Sequence, residues 1–213
     1  MALNFPGLFP SGRDMLVNYD WTDVSLMTGY IVFDGFNAED SGGNNYILIE
    51  SGKSTLMTPS LNNNVLDGSL FTNGFTFDMD FDLTPFKLPV TLGGTALVRI
   101  CLCFGTSTAS AVSVTATLRK WDGSTETQLG TVTSVSEEIA SGDERGHILK
   151  MTISNTHFKA GEILRLTVTG SGGGAAFNIA HNPRDTAVIT GVGADFTAGN
   201  SRLSVAVPFK IEV

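Results

Sequence analysis

Three histidines, two cysteines and a short run of alternating aspartates are the residues of this 213-residue chain whose types and spacing could do chemistry. Acyl transfer needs a nucleophile, a base and an orienting group brought together. His147, His157 and His181 are spread over three separate segments. No serine stands in a G-x-S-x-G elbow, and Gly105-Thr-Ser-Thr108 departs from that pattern. A Cys–His pair would have to use Cys101 or Cys103, which lie in an apolar run with Val98, Ile100, Leu102 and Phe104, a setting that favours packing. Zinc sites call for clustered Cys and His at turn-like spacing, and Cys101-Leu-Cys103 has no second pair. The glycines of Gly170-Ser-Gly-Gly-Gly174 do not sit between a strand and a helix, as a phosphate loop requires. The expectation is a protein that is not an enzyme and holds no metal or cofactor.

The aspartates are more unusual. Asp78, Asp80 and Asp82 alternate with Phe77, Met79, Phe81 and Leu83. A period of two puts the three carboxylates on one face of a strand, with neighbours about 7 Å apart. That spacing is too wide for all three to ligate one calcium ion, which takes 6 to 8 oxygens. Two readings stay open: a solvated strand face, or a contact for a basic surface on a partner. A glycosidase would need a carboxylate pair facing an aromatic-lined cleft, for which two Trp and three Tyr are thin support.

The elements that must position these residues are strands. Val112, Val114, Ala116 and Leu118 alternate with Ser113, Thr115, Thr117 and Arg119. Leu203, Val205, Val207, Phe209, Ile211 and Val213 share one face, as do Leu149, Met151 and Ile153, and then Leu164, Leu166 and Val168. Such alternation marks strands with one buried and one wet face. Runs at 30–36, 46–50, 75–83, 96–104, 128–136 and 176–181 bring the total to about ten strands, the pattern of a sandwich or barrel. Asp122-Gly123 predicts a type I′ hairpin. Ser41-Gly-Gly-Asn-Asn45 and Gly170 to Gly174 read as flexible, exposed loops. A single helical turn is predicted between a cap at Thr156 and a stop at Gly161.

Composition narrows the class. Hydrophobic residues make up 42% of the chain, enough for a sizeable core, and no stretch approaches the roughly 18 apolar residues of a membrane helix. The net charge of −8 and a pI near 4.7 argue against nucleic-acid binding, which needs a basic face, and against anionic membranes. Cys101 and Cys103, two apart in a strand, have poor disulfide geometry and are expected as reduced thiols, consistent with folding in a reducing cytoplasm. The opening residues, with no basic region and no continuous apolar core, do not read as a secretory signal.

Residues 1–22 differ in kind. Phe5, Leu8, Phe9, Met15, Leu16, Tyr19 and Trp21 are broken by Pro6, Gly7, Pro10 and Gly12, and follow no strand or helix period. The segment either packs on its own domain or extends as an arm that buries Phe5, Leu8 and Phe9 on a neighbouring subunit. The division is therefore an N-terminal arm at 1–22 and one antiparallel β-sandwich at 23–213.

The second half of the chain, from about residue 95, resembles jelly-roll accessory proteins of tailed-phage virions, the capsid decoration or cement proteins. The similar stretches are Thr117-Leu-Arg-Lys-Trp-Asp-Gly-Ser-Thr125, His157-Phe-Lys-Ala-Gly-Glu-Ile-Leu-Arg-Leu166, Ala180-His-Asn-Pro-Arg-Asp185 and Val207-Pro-Phe-Lys-Ile-Glu-Val213. The resemblance implies a jelly roll without chemistry that associates symmetrically, often as a homotrimer, on the major capsid protein. It implies a place on the capsid exterior after synthesis in the host cytoplasm. A carbohydrate-binding or host-adhesion sandwich is the alternative, and a row of solvent-facing aromatics would favour it.

Overall fold

In the computed structural model, residues 28–40, 43–50, 76–104, 109–140, 144–173, 177–181, 188–189, 196–197 and 203–210 are described. They form strands and turns, with no helix among them. The strands in chain order are β1 (Thr28–Asp40), β2 (Gly43–Glu50), β3 (Thr76–Leu83), β4 (Val90–Phe104), β5 (Ala109–Trp121), β6 (Glu126–Thr133) and β7 (Glu137–Ile139). They continue with β8 (Glu144–Phe158), β9 (Ile163–Gly173), β10 (Phe177–Ala180), β11 (Val188–Ile189), β12 (Phe196–Thr197) and β13 (Ser204–Lys210).

Eleven of these strands make one sheet that folds back on itself. Its path runs β4–β13–β1–β2–β3–β9–β5–β6, with β8 and β10 on β4 and β7 on β5, while β11 and β12 pair separately. Every pairing in the large sheet is antiparallel except β2–β3, which is parallel and consists of Ile47↔Asp82 and Leu48↔Leu83 alone. One half, β8–β4–β13–β1–β2, thus joins the other, β3–β9–β5–β6, through two residue pairs. Inward side chains from both halves meet in a single core: Ile31, Phe33, Leu48, Val98, Ile100, Val205 and Val207 from the first, Phe81, Val114, Leu118, Leu166 and Val168 from the second. The all-β sandwich predicted by the alternation is present, of the jelly-roll type that the resemblance implies, in a mixed rather than wholly antiparallel sheet.

At the far edges the sheet nearly closes. Gly130 on β6 lies so near β8 that an added Cβ would stand 2.6 Å from the Thr152 carbonyl oxygen. The strand backbones meet there without joining the ladder, and only a residue lacking Cβ allows the approach.

Several local expectations are corrected. Residues 156–158 continue β8 as a strand, and Lys159 to Glu162 form a turn in place of the predicted helical one. Gly161 does end the element, with φ +93, but it turns the chain from one half-sheet to the other. Gly170 to Gly173 are not a mobile loop. They complete β9, with Gly170 buried between Phe77 of β3 and Val114 of β5. A glycine run that frees a loop can equally fill a crowded ladder where side chains would not fit. Asp40 pairs with Gly43, which leaves two residues in place of the longer loop predicted at 41–45. The Asp122-Gly123 hairpin exists, but Trp121 pairs with Glu126 and only Gly123 has positive φ, so the four-residue turn is not type I′. Asp122 holds it instead, its Oδ1 accepting the N–H of Ser124 at 2.9 Å and of Thr125 at 2.8 Å.

Gly130→Ala is expected to cost about 1–3 kcal/mol through overpacking against a backbone carbonyl. Gly146→Ala, at a site with nothing within 4 Å and no positive φ, should be neutral or slightly stabilising. Urea denaturation of the two variants checks the contrast.

A braced end of the sandwich

The outer face of the second half-sheet is polar and arranged in rows. Across β3, β9 and β5 the register aligns Asp82, Arg165 and Arg119, then Asp80, Thr167 and Thr117, then Asp78, Thr169 and Thr115. β6 continues the last two rows with Thr131 and Thr133. Hydroxyls bridge neighbouring strands: Thr117 Oγ1 to Thr131 Oγ1 at 2.9 Å and Thr115 Oγ1 to Thr133 Oγ1 at 2.8 Å.

The first row places two arginines side by side, which alone would repel. Carboxylates from both flanking strands resolve this. Arg165 donates to Asp82 in a fork, Nε to Oδ1 at 2.6 Å and Nη2 to Oδ2 at 2.8 Å. Its Nη1 lies 2.5 Å from Glu126 Oε1 and 3.2 Å from Asp80 Oδ2. Glu126 also accepts from Arg119 Nη1 at 3.2 Å, so one carboxylate joins the two guanidinium groups. Asp80 is further held by Thr167 Oγ1 at 2.6 Å, and the Trp121 ring lies beneath Arg165, 5.6 Å from its Cζ. Asp82 hydrogen bonding, and then the charges of Asp82 and Asp80, raise the Arg165 pKa above its ordinary value and outweigh partial burial. Of the three aspartates, Asp80 and Asp82 are thus engaged inside the chain, while Asp78 is exposed. Of the arm residues singled out, Phe5, Leu8 and Phe9 lie outside the described residues.

A second brace closes the same end. Glu162 accepts the Lys159 N–H at 2.7 Å and lies 2.6 Å from Lys120 Nζ, which also donates to the His157 carbonyl at 2.8 Å. Phe86 N–H donates to the Glu162 carbonyl and Gly161 N–H to the Phe86 carbonyl, at 3.0 and 2.8 Å. The Phe86 and Phe158 rings meet edge to face, 5.1 Å apart. Residues 84–89, the hairpin at 122–125 and the turn at 159–162 therefore form one cross-linked end, and Leu88 projects from it, 63% exposed. Sequence reasoning missed this site, because the register partners of the aspartates cannot be read from any one strand.

The other candidates for chemistry lie apart. His147 Nε2 lies 2.9 Å from Glu137 Oε1, off the line of a good hydrogen bond. His157 Nδ1 lies 3.2 Å from Thr91 Oγ1. His181 is buried in the core against the rings of Tyr46 and Phe81. Cys101 is a buried thiol of β4, outside any disulfide. Among the described residues no three His, Cys, Asp or Glu gather as a metal site.

The architecture defines an all-β sandwich of jelly-roll type. No protein-family model matches the chain, and no curated protein matches it. Solved structures are similar in fold at low identity. An aminopeptidase from a marine-sediment Thaumarchaeota archaeon is 7% identical with a TM-score of 0.46, over 84% of this chain and 37% of that one. A CocE/NonD family hydrolase from Staphylococcus aureus is 10% identical with a TM-score of 0.44, over 83% of this chain and 41% of that one. The structure of infectious bursal disease virus, Gt strain, is 8% identical with a TM-score of 0.27, over 88% of this chain and 58% of that one. This chain spans less than half the length of either hydrolase. The expectation that it is not an enzyme is corrected on this finding. The lack of a serine elbow in the sequence, and of a metal cluster among the described residues, is no ground for excluding catalysis. Their activities belong to those proteins, and TM-scores this low assign none to this one.

Arg165→Met is expected to destabilise the fold by about 1–3 kcal/mol by leaving Asp80 and Asp82 without their cation. Arg165→Lys, which keeps the charge and loses the fork, should lose less; chemical denaturation of both variants ranks them. Asp122 adds a pH signature. The Thr125 and Ser124 N–H groups, with the Ser124 hydroxyl, hold its pKa below 3.8. A lowered carboxylate pKa gives stability that is present above the unfolded value and lost as pH falls through the folded one. The stability gap between wild type and Asp122→Ala should thus be full at neutral pH and close below 3.8, as acid titration of both unfolding midpoints would reveal.

Proposed function

We propose that this chain is an accessory structural protein of a virus particle, a decoration protein that binds the outer capsid surface through the braced end of its sandwich. One observation carries the reading. Two stretches that resemble phage decoration proteins, 117–125 and 157–166, are far apart in the chain and meet at this end. Lys120 contacts Glu162 and the His157 carbonyl, and the Arg165 guanidinium lies over the Trp121 ring. An end fixed in advance by such contacts loses little freedom on docking, which favours association. Leu88 supplies an apolar anchor, with the exposed Lys87, Asp122 and Ser124 as a polar surround. The partners of this reading are the major capsid protein and further copies of the chain in a homotrimer, on the exterior of the virion. Asp78 is the member of the aspartate run left exposed for a basic partner surface. Among the described residues the glycan-binding alternative gains no support: Trp121 is stacked under Arg165 and Tyr30 lies on the opposite half-sheet, so they form no row.

The test mixes purified protein with assembled particles that lack it, and follows co-sedimentation and added density by electron microscopy. Leu88→Asp should weaken particle binding at least about tenfold, as loss of a central anchor does, and leave the melting temperature unchanged. Undiminished binding by that variant would move the contact elsewhere. Wild-type protein that adds no density to any particle of its source virus would sink the virion reading.

A further inference from the structure

The two most exposed large apolar side chains among the described residues are Val135 and Ile148, at 77% and 70%. They meet where the sheet nearly closes on itself. Two contacts fix how β8 lies along the edge made by β6 and β7. Gly130 of β6 abuts Thr152 of β8, and Glu137 Oε1 of β7 lies 2.9 Å from His147 Nε2 of β8. Numbers rise along one edge as they fall along the other, so the edges run antiparallel and Val135 comes level with Ile148. Both side chains point outward. Leu149 and Met151 of β8 are in the core, which turns Ile148 and Lys150 to the outside. Val135 follows the buried Ser134, whose N–H donates to the Val114 carbonyl and whose Oγ accepts the Val114 N–H. The pair is thus one apolar patch astride the seam, and a contiguous patch carries more meaning than single exposed side chains.

Charge is arranged about this pair. Lys150 and Glu138 are both exposed, and neither is in an ion pair among the described residues. They lie on opposite sides of the seam and in opposite directions along it, Lys150 toward Gly130 and Glu138 away from it. Arg99, the register partner of Ile148, and Arg145 add exposed cations on the β8 side. The other side adds Thr133 and Ser136, which are uncharged, while Glu137 is turned to His147. We propose that this patch is a two-fold contact between copies of the chain. Val135 and Ile148 of each copy pack on those of the other, and Lys150 of each faces Glu138 of the other. A two-fold axis through the apolar pair exchanges the two ends of the patch, so a single Lys and a single Glu bring unlike charges together at both ends. A patch whose ends carry opposite charge is complementary to its own rotated image, which selects a second copy over an unrelated partner. With two apolar side chains on each side the contact is small, so it holds between crowded copies rather than in dilute solution. A ring of three copies uses two different surfaces of each, so this contact is additional to the homotrimer of the capsid reading and does not depend on it.

Sedimentation of the full chain at low ionic strength, over a concentration series reaching about 1 mM, is the test. The parent should show a concentration-dependent step that doubles the mass of its smallest species. Ile148→Ser should weaken that step at least about tenfold at an unchanged melting temperature, since this side chain already lies in water in the single copy. Lys150→Glu and Glu138→Lys should each weaken it about threefold or more by setting like charges face to face. The chain carrying both changes should return to within about twofold of the parent, a recovery that only contact between copies gives. A parent without such a step overturns the proposal. So does a step that Ile148→Ser leaves intact, or a double variant no better than the single ones. Far-ultraviolet circular dichroism checks that each variant is folded. Should Ile148→Ser fail to fold, Val135→Ser makes the same test from the other edge of the seam.

Discussion

Among the described residues the ladder joins the two halves of this sheet only at Ile47↔Asp82 and Leu48↔Leu83, so the shared core must do most to hold them face to face. Two parallel pairs cannot fix an angle between half-sheets. The inward side chains can, because burying each is worth roughly 1.5–3 kcal/mol and they interlock at near-crystalline density. Where two elements come closest the sequence removes bulk. Gly35 faces Leu203 and Phe81 so closely that a Cβ would stand 2.6 and 3.2 Å from their side chains, and Gly130 lets β6 meet β8. Further close approaches do the same work with backbone alone: the Gly35 N–H donates to the Leu203 carbonyl at 2.9 Å.

That dependence explains why the polar face needs its own solution. Once the core fixes the register of β9 against β5, Arg165 and Arg119 stand opposite each other whatever their charge prefers. The flanking strands answer with Asp82 on one side and Glu126 on the other, and Trp121 offers its ring to the same guanidinium. Exposed ion pairs contribute little singly, but a forked pair in a network of this kind is the favourable case. The same network takes up two of the three carboxylates that the linear pattern presents as a free acidic face.

How much could be read in advance follows from the range of the signals. Alternation is local, so β3, β5 and β13 were legible at nearly their true positions and β8 and β9 in their middle stretches, and with them the all-β class. Pairing is not local. Nothing in Asp78 to Asp82 names Arg165, 83 residues further on from Asp82, as its countercharge. Glycine misled for a related reason. At Gly170 to Gly173 the sequence offers only freedom, and whether freedom becomes a loop or a strand is decided by pairing with β3 and β5 across the ladder. The Asp122 turn was placed correctly, but its type was set by side-chain acceptance of two N–H groups rather than by the dipeptide.

The contact at Gly130 has one more consequence. β8 is 15 residues long and pairs with β4 along one side, which leaves a second row of backbone donors and acceptors that could template another strand. Proteins commonly blunt such edges with charge, proline or a covering element. Here β6 lies against that side with its glycine at the Thr152 carbonyl, so an incoming strand from a second molecule meets occupied space rather than an open rung. The absence of one methyl group thus bears on colloidal behaviour as well as on fit. It leaves the β8 edge at Thr152 closed to strand addition by a second copy.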